Sequence, residues 1–430
     1  MKITVVALGK IGLPLAVQFA RKGHTVIGAD VNLTTVNLVN DGIEPFPGES
    51  HLAQYLAEVI ESGQLVATTD TTAAVAQSDA VVVVVPLFVD EEGIPDFGWM
   101  DAATKAIGNG LKPGTLVSYE TTLPVGTTRN RFAPMLEELS GLTAGVDFHL
   151  VFSPERVFTG RVFADLRKYP KLVGGIDAAS GVRGVKFYED VLDFDPRPDL
   201  ERANGVWDLG SSEASELAKL AETTYRDVNI ALANQFALFS ESHGIDVQKV
   251  IDASNSQPFS HIHRPGIAVG GHCIPIYPRF YLWNDPAATV VRAARSANSA
   301  MPAHVVNTLA KIHGDLKGQR VVVLGAAYRG GVKETAFSGV FPTAVALKEV
   351  GAIVVVHDPM YTDAELANYG FDAYHYGEPI DAAIVQADHA EYRELTEAQL
   401  PGVKTVLDGR GITKEDNWKS VRYHVVGRAL

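Results

Sequence analysis

The first thirty residues predict a strand, a glycine-containing turn, a helix and a second strand that ends at an acidic residue. The two strands are 2–6 and 25–29, and the helix covers 13–22. The turn between the first strand and the helix, residues 7–12, reads Ala-Leu-Gly-Lys-Ile-Gly, which is the dinucleotide-binding pattern with Ala7 in place of its first glycine. A strand, a helix and a strand in this order are typical of the βαβ unit of a parallel sheet, so this segment predicts an α/β fold.

The residues of this turn suit a dinucleotide cofactor. Gly9 would let a pyrophosphate approach the backbone, Gly12 would let the helix pack closely on the strand, and Lys10 and Ile11 lie between them. Asp30 follows the second strand and is expected to accept hydrogen bonds from a ribose hydroxyl. No arginine follows it, which favours NAD over NADP. The alternative is an ordinary βα turn that binds no cofactor.

Three further strands are predicted in the first half of the chain, at 80–85, 115–119 and 149–152. Open parallel sheets bind ligands at the carboxyl ends of their strands. The residues that follow these strands are therefore candidates for a site: Pro86, Thr121, Thr122, Glu155 and Arg156.

The pattern changes after residue 205. A long helix is predicted over 210–244 and another over 287–301, ending at Pro302. The last third returns to strands and a helix, at 320–325, 341–351, 353–358 and 405–410. The predicted fold is α/β, with two Rossmann-like doubly wound domains joined by a long-helix connector. The expected domains are 1–205, 206–305 and 306–430.

The only cysteine among the 430 residues, Cys273, lies near the end of a glycine-rich run over 266–275. A lone thiol in such a loop is a nucleophile candidate, and the adjacent His272 could favour the reactive thiolate. The alternative is a small buried apolar side chain, which is the common state of a free cysteine.

Composition excludes several classes of protein. One cysteine permits neither an internal disulfide nor a cysteine-based zinc site, so we expect a reducing cytoplasm and need no metal. The formal net charge of −14 argues against nucleic acid, whose binding needs a dense basic surface. The apolar stretch 80–87 is too short to span a bilayer, and Lys10 interrupts the apolar start that would resemble an export signal. We therefore expect a cytoplasmic protein with no membrane partner.

Ordered motifs along essentially the whole chain resemble the UDP-glucose/GDP-mannose dehydrogenase family, in particular its UDP-N-acetylmannosamine dehydrogenase branch. The most specific is Gly270-Gly271-His272-Cys273-Ile274-Pro275. The others lie at 12–16, 120–128, 153–160, 216–220, 225–229, 295–302, 388–389 and 408–410. The resemblance implies NAD binding by the first domain, dimerisation through the connector, which also carries the cysteine loop, and nucleotide-sugar binding by the third.

The chemistry implied by this resemblance is the oxidation of a sugar C6 alcohol to a carboxylate by two NAD molecules, without release of the aldehyde. Cys273 would be the nucleophile, Lys219 would stabilise the oxyanions, Glu155 would act in water activation and Thr122 would help to place a water. Lys219 and Glu155 would then be neighbours although 64 residues separate them. The alternative for Lys219 is a solvated surface lysine.

The resemblance also implies substrate contacts. Arg264 and Arg410 would bind the diphosphate or the sugar, with Gly270 in the loop and Arg156 as a weaker candidate. Solvated or salt-bridged surface arginines are the alternative. In this family the connector helices form a dimer, so we expect at least a homodimer.

The chain departs from the family pattern at ligand positions. Thr223 stands where an asparagine helps to hold the oxyanion, and Tyr277 stands where an aspartate follows the cysteine by four residues. The family pattern also has an arginine that would face the cofactor, where this chain has Ala336. It has a threonine near Pro86, where this chain has Leu87.

Three functions remain open on these residues. The first is the full four-electron oxidation of a nucleotide sugar, with a UDP-sugar favoured, because Cys273, Lys219 and Glu155 are all present. The second is a two-electron enzyme that gives an aldehyde or ketone. The third is a non-catalytic protein that binds a nucleotide sugar or NAD.

Overall fold

The computed structural model describes residues 1–90 and 92–429. The chain divides into two compact units, Met1–Glu222 and Thr223–Leu430. The longest helix, Ser212–His243, begins in the first unit and continues into the second. The predicted three-part division at residues 205 and 305 stays a prediction.

The first unit contains an eight-stranded sheet and a separate two-stranded ribbon. Its strands are β1 Lys2–Val6, β2 Thr25–Ala29, β3 Leu65–Thr68, β4 Ala80–Val83, β5 Phe88–Val89, β6 Pro95–Asp96, β7 Leu116–Tyr119, β8 His149–Phe152, β9 Lys171–Gly175 and β10 Val206–Asp208. The sheet order is β10-β9-β8-β7-β4-β1-β2-β3, and β5 pairs with β6. All pairs in the sheet are parallel except β8 with β9, which is antiparallel.

Helices cover this sheet because its strands are apolar on both faces, as buried parallel strands must be. They are α1 Gly12–Arg21, α2 Leu33–Asn40, α3 Leu52–Glu61, α4 Thr71–Ala76, α5 Gly98–Gly110, α6 Ala133–Ser140, α7 Val162–Lys168 and α8 Ala178–Val191, with a π-helical turn at Thr128–Phe132 and α9 at Ser212–His243. The strand order reverses at β1, because β2 and β3 lie on one side of it and β4 lies on the other, and such a switch point creates the crevice in which these sheets bind ligands.

The turn between β1 and α1 brings two backbones unusually close. A Cβ at Gly12 would lie 1.9 Å from the carbonyl oxygen of Ala7, so only glycine fits there. Ala7 itself has φ of 76°, in the left-handed region, and donates a hydrogen bond to the carbonyl of Ala29 over 2.8 Å. The chain thus keeps the dinucleotide-binding turn although alanine replaces its first glycine, at a cost in backbone strain of about 1–2 kcal/mol.

The second unit contains a six-stranded parallel sheet with the order β13-β12-β11-β14-β15-β16. Its strands are β11 Arg320–Leu324, β12 Ile353–His357, β13 Asp372–Ala373, β14 Ala382–Val385, β15 Thr405–Asp408 and β16 Arg422–Val425. Its helices after α9 are α10 Val247–Asn255, α11 Tyr277–Asn284, α12 Thr289–His313, α13 Val340–Glu349 and α14 Asp363–Asn368, with 3₁₀ turns at Ala390–Glu394, Glu397–Gln399 and Glu415–Asn417. The fold class predicted from the sequence, two Rossmann-like sheets and a long-helix connector, is confirmed.

One predicted helix end is wrong. The helix expected to stop at Pro302 continues to His313, with Pro302 inside it. Proline in a helix costs about 3 kcal/mol because it removes a donor and crowds the preceding turn. Met301, Val305 and Leu309 are at most 1% exposed, and burial of three such side chains, each about 1.5–3 kcal/mol, outweighs that cost.

Several strands are also shorter than expected, and β7, β11 and β12 each lack one residue of the predicted range. β4 ends at Val83 rather than at residue 85, and β15 ends at Asp408 rather than at residue 410.

None of the helices in the described part of the chain has the length and apolarity needed to cross a membrane.

The strain at Ala7 leads to a stability prediction. Ala7→Gly should raise the urea midpoint of unfolding by the equivalent of about 0.5–1 kcal/mol, because relief of the left-handed strain exceeds the extra entropy of glycine in the unfolded chain. Ala102→Gly, at an exposed position inside α5, is the matched control and should lower stability by about 1 kcal/mol. A fall in both midpoints would show that Ala7 is not strained.

Candidate functional site

The turn of the first unit fits a dinucleotide. A Cβ built on Gly9 meets no atom within 4 Å, so the space beside its backbone is open to a pyrophosphate. Asp30 accepts hydrogen bonds from the backbone nitrogens of Leu8, at 2.7 Å, and Asn32, at 2.8 Å, which fixes the carboxylate at the end of β2. Val31, next to it, is 93% exposed, so an apolar side chain stands where a protein selective for NADP commonly has an arginine.

The other expected cofactor residues lie at the same edge of the sheet. Lys10 and Pro86 are exposed, after β1 and β4 respectively. The hydroxyl of Thr121 donates to the carbonyl of Val85 over 2.7 Å, which ties the ends of β7 and β4 together, and Thr122 is buried. The turn, these strand ends and Asp30 together form a site that suits NAD.

Glu155 lies beyond the end of β8 in a buried polar cluster. The ammonium of Lys171 contacts both the carboxylate of Glu155 and that of Glu120, the latter at 2.9 Å. The hydroxyl of Tyr188 donates to the other oxygen of Glu120 over 2.6 Å and also bonds Ser118 at 2.6 Å. Sequence reasoning missed Lys171 and Tyr188. The available signal was a lysine at the start of an otherwise apolar strand, which is rarely buried without a charged partner.

This cluster shifts the pKa of each member. Burial raises the pKa of Glu120 to about 8, against the attraction of Lys171. Burial also acts against the charged form of Glu155, but Lys171, a hydrogen bond with Glu120 and the charge of Lys219 outweigh it, so the pKa of Glu155 is lowered. The pKa of Lys171 is raised because the two carboxylates outweigh its desolvation. Glu155 is therefore the ionised carboxylate of the pair.

Lys219 is buried, at 7% exposure, so it is not the solvated surface lysine that the sequence left open. Its charge acts on Glu155, as expected for neighbours. Glu216, one turn earlier on α9, positions this part of the helix: its carboxylate accepts from the backbone nitrogens of Gly126, at 2.5 Å, and Thr128, at 2.9 Å. Burial raises the pKa of Glu216 to about 7, against these hydrogen bonds.

Arg156 is already engaged within the first unit. Its Nε lies 3.0 Å from Glu222, and one terminal nitrogen donates to the carbonyl of Pro170 over 3.3 Å. Its proposed contact with substrate stays a prediction.

In the second unit, Cys273 is exposed. The buried apolar alternative for this cysteine is therefore wrong. Its carbonyl accepts from the backbone nitrogens of Ile276, at 3.2 Å, and Tyr277, at 2.9 Å, so the thiol lies in the turn that opens α11. The imidazole of the adjacent His272 lies 3.2 Å from the carboxylate of Glu334.

The glycines of the cysteine loop let other residues of the same chain pack closely against its backbone. A Cβ at Gly270 would lie 2.5 Å from Cβ of Tyr328, and the nitrogen of Gly271 donates to the carbonyl of Ala336 over 2.8 Å. Phe337 follows with φ of 51°, a conformation rare for a bulky residue. The loop is thus held against residues 328–337, and a contact of Gly270 with substrate stays a prediction.

A cavity of about 420 Å³ lies beside the cysteine loop within the second unit. Its lining includes Ala268, Val269, Pro275, Arg279, Arg295, Asn298, Phe337 and Phe341. Arg295 lies 2.7 Å from the buried carboxylate of Asp227, so its charge is paired. The volume falls in the range of small-molecule sites.

The positions that depart from the family pattern have different surroundings. Thr223 is buried, at 3% exposure, whereas Tyr277 is partly exposed and stacks on Phe280 with 5.8 Å between the ring centroids. Tyr277 is the first residue of α11, so its ring occupies the helix start next to the thiol turn.

The two arginines expected to contact substrate have partners. Arg264 is half exposed and pairs with Asp252 and with the side chain of Gln248, the latter at 2.9 Å. Arg410 is 26% exposed and lies 3.3 Å from Asp388. Arg264 therefore fits the alternative of a salt-bridged surface arginine, and the guanidinium of Arg410, just after β15, stays partly exposed.

Within the described residues, acidic, cysteine and histidine side chains form no group that could hold a metal.

Comparison with known proteins assigns the chain to one family. Residues 1–192 match the NAD binding domain of the UDP-glucose/GDP-mannose dehydrogenase family, residues 213–300 its central domain and residues 322–415 its UDP binding domain. The UDP-N-acetyl-D-mannosamine dehydrogenase of Pyrococcus horikoshii is 33% identical over 427 residues, which cover 96% of each chain.

Two solved structures show the same fold. The NDP-N-acetyl-D-galactosaminuronic acid dehydrogenase of Methanosarcina mazei superposes with a TM-score of 0.84 at 29% identity, over 99% of this chain and 95% of that one. The UDP-glucose dehydrogenase of Pyrobaculum islandicum superposes with a TM-score of 0.85 at 26% identity, over 100% and 98%. The chain belongs to the UDP-glucose/GDP-mannose dehydrogenase family. It is an NAD-dependent dehydrogenase of this nucleotide-sugar dehydrogenase class.

The geometry at Asp30 leads to a binding prediction. Asp30→Ala should weaken NADH binding roughly tenfold or more, because it removes a charged acceptor for the ribose. Fluorescence titration with NADH measures the dissociation constant. Asp70→Ala is the matched control: Asp70 also follows a strand end but caps α4, so NADH affinity should not change. An unchanged affinity in Asp30→Ala would remove the basis for assigning the ribose to this residue.

Proposed function

We propose that the protein oxidises a UDP-sugar at C6 to the uronic acid by two successive hydride transfers to NAD, with Cys273 as the covalent nucleophile. The observation that carries the proposal is the exposure of this single thiol at the start of α11, on a loop held against residues 328–337. A thiol for catalysis must be accessible and fixed in place, and a structural cysteine need be neither.

The need for a thiol follows from the chemistry. NAD, when bound, accepts a hydride from C6 in each oxidation. After the first transfer the product is an aldehyde, and addition of the Cys273 thiolate gives a tetrahedral carbon that can lose a second hydride. The resulting thioester is hydrolysed by water, which restores the thiol and leaves the carboxylate. In this scheme Lys219 stabilises negative charge on oxygen, Thr122 helps to place the water, and Glu155 takes its proton.

The ionisation of Glu155 supports its part in the scheme. A carboxyl group can take a proton from water only when it is ionised, and the lowered pKa of Glu155 meets that requirement. Lys219 acts on the same carboxylate, so a general base and a cationic group lie near one another in the first unit.

The substrate proposal rests on similarity. Residues 322–415 match a UDP binding domain, and the Pyrococcus horikoshii relative is named for UDP-N-acetyl-D-mannosamine. UDP-N-acetyl-D-mannosamine is therefore the first sugar to test. The two solved structures described above are named for different sugars, so a panel of UDP-, GDP- and dTDP-sugars should accompany it. We propose that Arg410 and Arg264 contribute to binding the diphosphate, Arg264 after release from Asp252.

A two-electron oxidoreductase is the second candidate, and a specific observation favours it. Thr223 and Tyr277 replace an amide and a carboxylate of the family pattern, and Thr223 is buried beyond the reach of solvent that could substitute for the missing group. Such an enzyme would stop at an aldehyde or ketone.

We further propose that the chain acts as a homodimer in the cytoplasm. Four apolar or aromatic side chains of α9 form an exposed stripe at helical spacing: Tyr225, Leu232, Phe236 and Phe239, which are 36–57% exposed. A second copy of the chain would cover this stripe. The cytoplasm is proposed because the single exposed thiol requires a reducing environment.

Stoichiometry separates the two candidate functions. The four-electron enzyme should form two NADH per sugar consumed and an acid about 14 mass units heavier than the alcohol, because two hydrides and two protons are lost and one water is gained. Cys273→Ser should reduce acid formation by about 10³-fold or more, because serine is not activated as a nucleophile here. Unchanged acid yield in Cys273→Ser would contradict the thioester scheme, and one NADH per sugar would favour the two-electron enzyme.

The departures from the family pattern can be reversed. Thr223→Asn with Tyr277→Asp should raise the rate of acid formation on UDP-N-acetyl-D-mannosamine by about tenfold or more if the amide and carboxylate stabilise the oxyanion intermediates. Steady-state kinetics of the single and double variants measure the effect. A rate that does not rise would show that this pocket is organised without those groups.

A further inference from the structure

The antiparallel strand β9 brings a lysine to an edge of the sheet where parallel strands alone could not place it. β8 and β9 pair through Val151 with Gly175 and Phe152 with Gly174. Because the chain directions are opposite, the first residue of β9 lies at the edge where β8 ends. Lys171 opens β9 and Glu155 lies three residues after β8, so the two side chains meet.

We propose that Lys171 is a positioning residue for Glu155, and that Glu120 anchors Lys171. This inference rests on the proposed function, in which Glu155 takes a proton from the water that hydrolyses the thioester. Lys171 touches neither substrate nor cofactor in this scheme: it acts by holding the carboxylate of Glu155 charged and in one orientation.

The contacts of Lys171 suit an anchor. Its side chain is 5% exposed, that of Glu120 is fully buried and that of Glu155 is 11% exposed, so the cluster runs from the interior outwards to Glu155. Tyr188 donates to Glu120, and the ammonium of Lys171 lies 4.7 Å from the centre of the Tyr188 ring. The backbone nitrogen of Glu155 also donates to the carbonyl of Glu120 over 3.2 Å. Both partners of Lys171 are therefore held at fixed positions.

The charges around Glu155 come from several elements. Lys171 on β9, Glu120 after β7 and Lys219 on α9 act on it directly. The neighbouring Arg156 is paired with Glu222, and Asp165 and Tyr169 line the same crevice as Glu155, with Asp165 paired to Arg161. Lys171 is the cation in direct contact with Glu155, so its removal should raise the pKa of that carboxylate.

The step in which this matters involves no redox change. The water oxygen bonds to the thioester carbonyl carbon and one water proton passes to Glu155. The carbon–sulfur bond then breaks with its electron pair on the sulfur of Cys273, and the proton leaves Glu155 for solvent. Glu155 must be ionised before each turnover, so the rate of this step falls as pH drops through the pKa of Glu155.

The test is the pH profile of acid formation in substituted enzymes. Lys171→Met should move the acidic limb upward by about one pH unit or more, because an opposite charge in contact lowers a carboxyl pKa by about that amount. At a pH on that limb the rate should fall about tenfold. Lys171→Arg keeps the charge and should restore most of the profile. Lys168→Met removes an exposed lysine at the end of α7 and should leave the profile unchanged.

Glu120→Gln separates positioning from a general loss of structure. The raised pKa of Glu120 keeps it protonated on the acidic limb, so a neutral amide of the same size preserves its charge state, and the limb should stay in place, unlike the upward shift of Lys171→Met. Movement of both variants in the same upward direction, or no movement in Lys171→Met, would overturn the proposal. NADH per sugar in the unmodified enzyme tests the proposed function separately.

A second readout does not depend on turnover. The carboxyl infrared band that disappears in Glu155→Gln reports the titration of Glu155 in the folded protein. In Lys171→Met this band should titrate at higher pH than in the unmodified enzyme. An identical titration would overturn the positioning role even if no sugar were oxidised, and a raised titration without acid production would reject the proposed function alone.

Discussion

The buried carboxylate of Glu216 is the contact on which the arrangement of the first unit depends. It accepts hydrogen bonds from the backbone nitrogens of Gly126 and Thr128 and, at 2.7 Å, from the hydroxyl of Thr128. One side chain in the first turns of α9 thereby holds the loop that follows β7, and Lys219 lies one turn further along the helix. Without these donors a fully buried carboxylate would be strongly disfavoured, so the loop and the helix stabilise each other.

The same edge of the sheet illustrates how topology creates chemistry. Glu120, Glu155 and Lys171 come from the ends of β7 and β8 and from the start of β9, which are neighbours in the sheet. A parallel β9 would have placed its first residue at the opposite edge. The antiparallel pairing of β8 with β9 therefore converts a pair of buried carboxylates, which repel each other, into a cluster with a cation between them. It also separates the two carboxylates into one with a raised pKa and one with a lowered pKa.

Local sequence predicted much of the fold because its signals act over a few residues. β1 and β2 match the predicted ranges, and the long helix lies within two residues of its predicted ends. Pro302 shows where such reasoning fails: a residue that ends an isolated helix is tolerated when burial of the same helix outweighs its cost. Gly270 is a similar case, because its missing Cβ makes room for Tyr328, a residue far away in the sequence.

The sequence alone determined the two sheets, the NAD-binding turn, the single thiol and the family, since apolar periodicity, glycine positions and ordered motifs are properties of the chain itself. Only the tertiary structure decided which side chains are buried together. It showed that Cys273 is exposed, that Lys219 is buried near Glu155 and that Lys171 bridges two carboxylates. The physical reason is that charge interactions depend on distance and burial, and both are set by which strands become neighbours and in which direction they run.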